Sequence, residues 1–524
     1  MSDVRVRFCP SPTGNPHVGM VRTCLFNWAY AKHTGGTFVF RIEDTDSARD
    51  SEQSYQQLLD ALRWLGMTWD EGPEVGGPHA PYRQSERMHI YADVAQRLLD
   101  AGFAYHCYCT PDELETEREA QKQAGKTPGY SGRCRDLSAD DVVKLQAAGR
   151  EPAIRFRMPG TDFSWDDLVR GALSFAAEHV PDYVIVRASG EPLYTLTNPV
   201  DDADMEITHV LRGEDLLSST PRQIAMHAAL AKVGVGKGVM PKFGHLPYVM
   251  GEGNKKLSKR DPESSLQMYR DEGFLPEGLL NYLSLLGWSI GEDRDIFSMD
   301  EMWKAFDVAD VNANPARFDL KKCTAINADW IRRLGADAIA ERLLSYLVAE
   351  GVLPEVPNAA QRELLRAAVP HVQERMETLR QGVNMLSFLF AGDSGVSSDV
   401  TAGTPKFVRD AADVAAVISD DTKPALRAAH DAIASVTEWT TGALEEALLR
   451  AGHPFTAEPA VVSPTTLGVR SATMAGTAPK PPKIVQPARV FWGRHDPVLR
   501  SAWVEFVPEY FENVEAGIAE DAGH

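Results

Sequence analysis

The sequence reads as an α/β protein: a Rossmann-like N-terminal region, interrupted by an insertion and followed by an all-α region. Three observations predict this. The first 42 residues order themselves as strand, loop, helix, strand; short strands and cysteines replace that pattern between about 105 and 187; and strand patterns disappear between about 330 and 450. At 524 residues the chain is too long for one typical domain. We divide it at 1–104 and 190–329 for the two halves of the α/β region, 105–189 for the insertion, 330–455 for the helical region and 456–524 for a tail.

Val4 to Phe8 alternates like a strand and runs into Cys9-Pro-Ser-Pro-Thr-Gly-Asn-Pro16, where three prolines and a glycine force a loop. Apolar residues from Val21 through Ala31 then fit a helix closing near Gly35-Gly36, and Phe38 to Ile42 reads as a buried strand. Leu58, Leu59, Leu62 and Leu65 before Gly66, and Met88, Tyr91, Val94 and Leu98 before Gly102, have the spacing of crossover helices. Ala153 to Met158 and Tyr183 to Val186 read as strands of the insertion. Ile339–Leu347, Leu364–Val369 and Leu444–Leu449 carry helical periodicity. A Pro/Ala-rich stretch from Pro454 to Pro487 reads as a linker into the tail.

Composition excludes several classes. No apolar run approaches the roughly 18 residues of a membrane span, and the alternating start lacks the basic flank and apolar stretch of a signal peptide. Six unevenly placed cysteines are too few for a disulfide scaffold, so a reducing, cytoplasmic setting is expected. The net charge of 54 − 74 = −20 disfavours a polyanionic partner only weakly, because screening over roughly 8 Å lets a local basic face act alone.

Two motifs carry chemistry. In Pro16-His17-Val18-Gly19 the histidine precedes a helix whose free N–H groups and dipole favour a polyphosphate, and Gly19 lets a nucleotide approach bare backbone. A lone histidine there is more commonly a surface cap. The loop is not a Walker loop, because Gly14 lacks the following Gly-Lys-Ser/Thr, so phosphates need a lysine from elsewhere. Lys256-Leu-Ser258-Lys259-Arg260 supplies it, although such a run taken alone is usually a solvated basic turn.

Together, Pro-Ser-Pro-Thr-Gly-x-Pro-His-Val-Gly and Lys-Leu-Ser-Lys-Arg resemble the paired signatures of class I aminoacyl-tRNA synthetases, glutamyl branch. Arg41-Ile-Glu-Asp-Thr-Asp46, Tyr82-Arg-Gln-Ser-Glu-Arg87, Leu211-Arg-Gly-Glu-Asp215 and Gly273-Phe-Leu-Pro276 extend the resemblance over residues 3 to about 450. It implies that the insertion binds the tRNA acceptor stem and the helical region the anticodon. The implied activity is activation of L-glutamate to glutamyl-AMP with ATP and Mg²⁺, then transfer to the 3′ end of tRNA(Glu). Whether tRNA(Gln) is also charged stays open. No DNA or membrane partner is implied, and a monomer is.

Activation needs positioning and charge neutralisation more than a protein nucleophile. By resemblance, His17 and Lys259, assisted by Lys256, serve catalysis, and Pro16, His17, Gly19, Glu214, Lys256, Ser258 and Lys259 bind ATP. A site selecting glutamate needs two cations and one anion for its two carboxylates and its ammonium. The matching positions are Arg7 and Arg212 for the carboxylates, Glu43 for the α-amino group, and Ser11, Tyr194 and Asn198 for hydrogen bonds. Which arginine takes which carboxylate is open. Taken alone, Arg7 would read as a strand-edge surface residue and Glu43 as half of a structural salt bridge. Glutaminyl relatives typically carry a Phe-Asp-Asp-Thr-Asn type segment where this chain has Ile42-Glu-Asp-Thr-Asp46, which favours glutamate.

Cys107-Tyr-Cys109 and Cys134-Arg-Asp136 resemble the structural Zn²⁺ site of some members, with Asp136 expected as the fourth ligand in place of His or Cys. In an extended strand His106 points opposite to Cys107 and Cys109, so it ranks below Asp136. Three reduced thiols without a metal are nearly as good a reading. In the tail, Val490 to Val498 and Glu520 to His524 resemble the end of an α/β-hydrolase, with Asp496 and His524 where a triad acid and histidine would stand. The chain has no Gly-x-Ser-x-Gly elbow, so a working hydrolase is excluded.

Overall fold

The computed structural model describes residues 3–46, 50–251, 255–257, 261–291 and 293–390, scattered positions between 428 and 447, and two strands at 488–493 and 514–519. They fall into two compact units, Met1–Met268 with Leu279–Cys323, and Tyr269–Gly278 with the chain from Thr324 onward.

Nine strands of the first unit matter here and are named in chain order: β1 (Arg5–Phe8), β2 (Thr37–Phe40), β3 (Ala104–Cys107), β4 (Ala153–Phe156), β5 (Phe163–Asp167), β6 (Gly171–Phe175), β7 (Tyr183–Val186), β8 (His209–Gly213) and β9 (Lys242–Leu246). Four of them form a parallel sheet in the order β2-β1-β8-β9. The helix Val18–Thr34 makes the first crossover, and it stops where Gly35 takes φ +62, a left-handed conformation that costs glycine nothing. β1 and β2 bury three of their four residues each, as strands covered on both faces must. The helix expected before Gly66 spans Glu52–Trp64, and the one before Gly102 spans Met88–Asp100.

Between these halves the chain forms an antiparallel sheet β3-β4-β7 and a hairpin β5-β6. The hairpin lies against the parallel sheet, where the Leu168 amide donates to the Phe243 carbonyl at 2.8 Å. Tyr91, Leu98, Phe156, Ile185, Leu196 and Leu230 share one buried core, so helices and inserted strands are one packed body here.

In the second unit the helices Ala336–Ala349, Ala359–Val372 and Leu379–Leu386 pack Leu343, Leu347, Leu365, Val369 and Val383 into one core. Asn358 and Gln361 start the middle helix with a reciprocal capping box. The periodicity expected at Leu444–Leu449 falls mostly outside the described residues, although Ala443, Glu446 and Ala447 are helical. In the tail, Ala488–Gly493 pairs in parallel with Val514–Ala519, while Asp496 and His524 lie outside the described residues. No described helix is long and apolar enough to cross a membrane.

Candidate active site

In an open parallel sheet, ligands bind beyond the carboxyl ends of the strands. Three of the sequence-predicted residues stand at or just past that edge. Arg7 is the penultimate residue of β1, Arg212 the penultimate residue of β8, and Glu43 follows the end of β2.

His17 is the N-cap of the first helix, with its Nδ1 accepting the Met20 amide at 3.2 Å. That bond fixes the tautomer: a neutral ring then carries its proton on Nε2, which makes the far edge of the imidazole a donor. Gly19 leaves the ring room: a Cβ there would stand 3.3 Å from His17 Nδ1, so the imidazole would have to give by a few tenths of an ångström. The same loop is stitched to the segment that follows the basic motif. His17 forms a β-bridge with Ser265, and the Leu266 amide donates to the Pro16 carbonyl at 3.2 Å. On the other side of the motif Lys256 bridges Met250, and the Leu257 amide donates to Val249 at 2.9 Å. Ser258 and Lys259 lie outside the described residues. Lys256 is half-exposed, with Nζ 3.7 Å from Asp215 and 4.2 Å from the Tyr248 ring centroid.

Four of the residues expected to hold glutamate, Glu43, Asn198, Arg212 and Tyr194, are joined with Arg41 and Gln223 in one hydrogen-bonded chain. Arg41 donates to Glu43 at 3.1 Å; Asn198 donates to Glu43 at 2.6 Å; Gln223 donates to Asn198 at 3.0 Å; and Arg212 donates to Gln223 at 2.6 Å. Arg212 also bonds Tyr194 Oη, the Leu216 carbonyl, Thr220 Oγ1 and His245 Nε2. All of these partners are neutral. The guanidinium is 4% exposed and burial lowers its pKa, so it is a desolvated cation with no carboxylate partner among the described residues. Arg7 differs: its Nε lies 3.2 Å from both Asp202 oxygens, and although burial would lower its pKa, Asp202 leaves it raised. Burial pushes the Tyr194 phenol and the Cys9 thiol up to about 12, so both stay neutral.

Two predicted residues are placed differently from the others. Ser11 is exposed, with its carbonyl accepting the Thr13 amide at 2.8 Å. Glu214 is engaged through both carboxylate oxygens, by Arg170 and by the Tyr248 amide at 2.6 Å, and so joins the β5–β6 turn to the loop after β9.

The cysteines assemble as expected, their Sγ atoms lying within 4.8 Å of one another. Asp136 is not brought to them. Its side chain is 80% exposed, turned to solvent, and bonds Arg157, just past β4, at 2.9 Å. His106 is exposed on the opposite face of β3, as the strand periodicity requires. The oxygen nearest the thiols is Tyr130 Oη, 3.6 Å from Cys107 and 4.0 Å from Cys109, and held by the Cys134 amide at 2.8 Å. Tetrahedral Zn–S bonds of about 2.3 Å place ligands about 3.7 Å apart, so three thiolates and this phenol oxygen fit a zinc ion. Burial raises the Cys107 pKa, but the 3.1 Å bond from Arg155 outweighs it and favours thiolate; Cys109 is pushed up to about 12 by burial and its thiol neighbours.

Sequence reasoning missed Tyr130, Arg41 as a network member, Asp201, Asp202, Gln223, His245 and Asp167. A signal existed for two of them: Asn198, Asp201 and Asp202 stand at i, i+3 and i+4 on the helix Tyr194–Asp204, one inward face.

Residues 3–325 match the sequence model of class I tRNA synthetase (E and Q) catalytic domains, and residues 338–452 that of an anticodon binding domain. A glutamate–tRNA ligase of Streptomyces avermitilis is 59% identical over 452 residues, 86% of each chain. One from Streptomyces griseus is 64% identical over 386 residues, 74% of this chain and 76% of its own. The crystal structure of a glutamate tRNA ligase from Elizabethkingia meningosepticum in complex with its amino acid superposes with a TM-score of 0.72 at 32% identity, covering 87% of this chain and 90% of the other. By these matches the chain belongs to the glutamate–tRNA ligase family of class I tRNA synthetases.

Proposed function

We propose that the chain activates L-glutamate with ATP, brought as its Mg²⁺ complex, and transfers the glutamyl group to the 3′ end of tRNA(Glu). The observation that carries the reading is Arg212, a buried guanidinium whose hydrogen-bond partners among the described residues are all neutral, linked through Gln223 and Asn198 to the carboxylate of Glu43. A buried cation without a counter-ion attracts a carboxylate, and Glu43 is the anion for an ammonium group.

In the first step a carboxylate oxygen of glutamate attacks the α-phosphorus of ATP and pyrophosphate leaves. In the second the 3′-terminal ribose hydroxyl attacks the carbonyl of glutamyl-AMP and AMP leaves. Neither step needs a protein nucleophile; the residues orient the reactants and neutralise developing charge. His17 Nε2 and the ammonium groups of Lys256 and Lys259 meet the phosphates, with Pro16 and Gly19 shaping the first loop and Ser258 adding a hydroxyl for ATP. Arg7 and Arg212 receive carboxylates, Glu43 the α-amino group, and Tyr194, Asn198 and Ser11 complete the hydrogen bonding.

The test is ATP–pyrophosphate exchange with glutamate or glutamine, each with and without tRNA(Glu) and tRNA(Gln). Exchange with glutamate but not glutamine is expected; exchange with glutamine alone, or none under any condition, overturns the reading.

The cysteine cluster we assign to one structural zinc ion held by Cys107, Cys109, Cys134 and Tyr130, with Arg155 and the Cys134 amide as outer supports. Replacing Cys134 by Ser is expected to abolish bound zinc measured by elemental mass spectrometry, and Tyr130→Phe to weaken zinc retention about tenfold or more. Asp136→Asn should leave zinc content unchanged; loss of zinc in that variant would restore Asp136 as the ligand.

A further inference from the structure

One of the partners that orient Arg212, His245, is itself held by a carboxylate one step behind it. In the parallel pairing of β8 with β9, Arg212 stands opposite His245, and its Nε lies 3.1 Å from His245 Nε2. His245 is fully buried; its Nδ1 lies 2.5 Å from Asp167 Oδ2, and its backbone amide donates to Asp167 Oδ1 at 3.0 Å. Arginine Nε always carries a proton. His245 Nε2 must therefore accept, and its single ring proton sits on Nδ1, where Asp167 receives it. Thr220 agrees with this assignment: its hydroxyl accepts from Arg212 Nη2 at 2.8 Å, which leaves its own proton for His245 Nε2 at 3.0 Å. Burial and the facing Arg212 both lower the His245 pKa, while Asp167 raises it without reversing the shift.

We propose that Asp167 and His245 are positioning residues for the glutamate carboxylate site: the imidazole, held neutral with its proton on Nδ1 and donated to Asp167, fixes the Arg212 guanidinium while keeping a carboxylate away from it. The arrangement solves a specific problem. A carboxylate bonded directly to Arg212 would orient it equally well but would neutralise the charge that a substrate carboxylate must find. An imidazole placed between the two transmits the orientation and holds the negative charge one ring further away. Asp167 is itself anchored, accepting the Val169 and Arg170 amides at 3.2 Å and 3.1 Å, and it stands at the end of β5 in the inserted segment. The insertion thus contributes to the amino-acid site as well as flanking it.

This inference rests on the reading of Arg212 as a carboxylate ligand, and the two can be separated. The KM for glutamate, the KM for ATP and kcat are measured by tRNA-supported ATP–pyrophosphate exchange on the full chain. Arg212→Ala, Asp167→Asn, His245→Leu and His245→Gln are compared with the parent, with thermal melts as a control for folding. Hydrogen bonds to charged groups set the scale at about tenfold in affinity or more. Asp167→Asn is expected to raise the glutamate KM about tenfold, because an asparagine amide can donate to Nδ1 and drive the ring proton onto Nε2, against Arg212. His245→Leu removes the acceptor and raises the glutamate KM similarly. His245→Gln, whose carbonyl can stand where Nε2 stood, recovers most of that loss, and the ATP KM moves in none of them.

If Arg212→Ala raises the glutamate KM while Asp167→Asn and His245→Leu do not, the positioning role is overturned and the site reading stands. If Arg212→Ala leaves it unchanged, both fall. Nitrogen-15 NMR of histidine-labelled parent protein, with the His245 signal assigned by its absence from His245→Gln, tests the same inference without depending on how a variant folds. An Nδ1–H neutral ring is expected, and an Nε2–H ring or an imidazolium at neutral pH overturns the proposal.

Discussion

His17→Ala is expected to slow glutamate-dependent ATP–pyrophosphate exchange about a hundredfold or more, on the scale of removing one preorganised donor from a developing anion. The same substitution removes the Nδ1 cap of the first helix, worth about 1 kcal/mol, so a rate loss alone would not separate phosphate contact from helix fraying. His17→Asn separates them. Asparagine is among the best N-caps, and its side chain can accept the Met20 amide, but it presents no Nε2–H on the far edge. The Asn variant should therefore regain the melting temperature of the parent while staying nearly as slow as Ala. Recovery of the rate together with stability would reduce His17 to a cap, the bland reading the tetrapeptide has on its own. Gly19 belongs to the same argument: a methyl group there meets the imidazole at 3.3 Å and would press on the nitrogen that caps the helix.

What the sequence made legible is local, and what it hid is long-range. Pro10, Pro12, Pro16 and Gly35 punctuate the first crossover so strongly that strand, loop, helix and strand fall within a residue or two of their observed ends. The placement of Arg7 at the carboxyl end of its strand follows from that order, whereas the strand that carries Arg212 and its place beside β1 do not. Their partners do not follow from any spacing. Arg7 meets Asp202 across 195 positions and His245 meets Asp167 across 78, and nothing in a run of residues records contacts that only the folded sheet creates. Asp136 shows the converse failure. Its spacing after Cys134 is right for a ligand, yet side-chain direction decides, and Arg157 holds it outward. Tyr130 precedes Cys134 by one helical turn's worth of residues and carried no flag, because a phenol becomes a metal-ligand candidate only once the loop folds its oxygen over the thiols.

The largest effect on stability is expected at Asp202. Arg7 and Arg41 both converge on it, at 3.2 Å and 2.8 Å, and all three side chains are at most 2% exposed. Asp202→Ala would leave two buried guanidinium groups short of their shared anion, and breaking a buried pair by removing one partner costs about 3–5 kcal/mol. Asp204 offers the control. It also pairs with a buried arginine, Arg87 at 2.7 Å, but it is 40% exposed, and Arg87 keeps Asp201 at 2.8 Å. Water can replace that carboxylate, so Asp204→Ala should cost about 0–1 kcal/mol. Urea titration of the two variants, followed by the transition of the unit that holds β1 and β8, measures the difference. Burial would raise the Asp202 pKa, but Arg7 and Arg41 lower it below its ordinary value, so its contribution is complete above about pH 4. It is lost as pH falls through the lowered folded-state value, so the gap between the Asp202 variant and the parent should hold from pH 7 to pH 5 and narrow only in stronger acid. Equal destabilisation by both substitutions would mean that the cluster behaves as surface charge. The same aspartate also keeps Arg7 aligned along β1, so the ion cluster that stabilises the sheet also fixes the guanidinium that stands at its carboxyl edge.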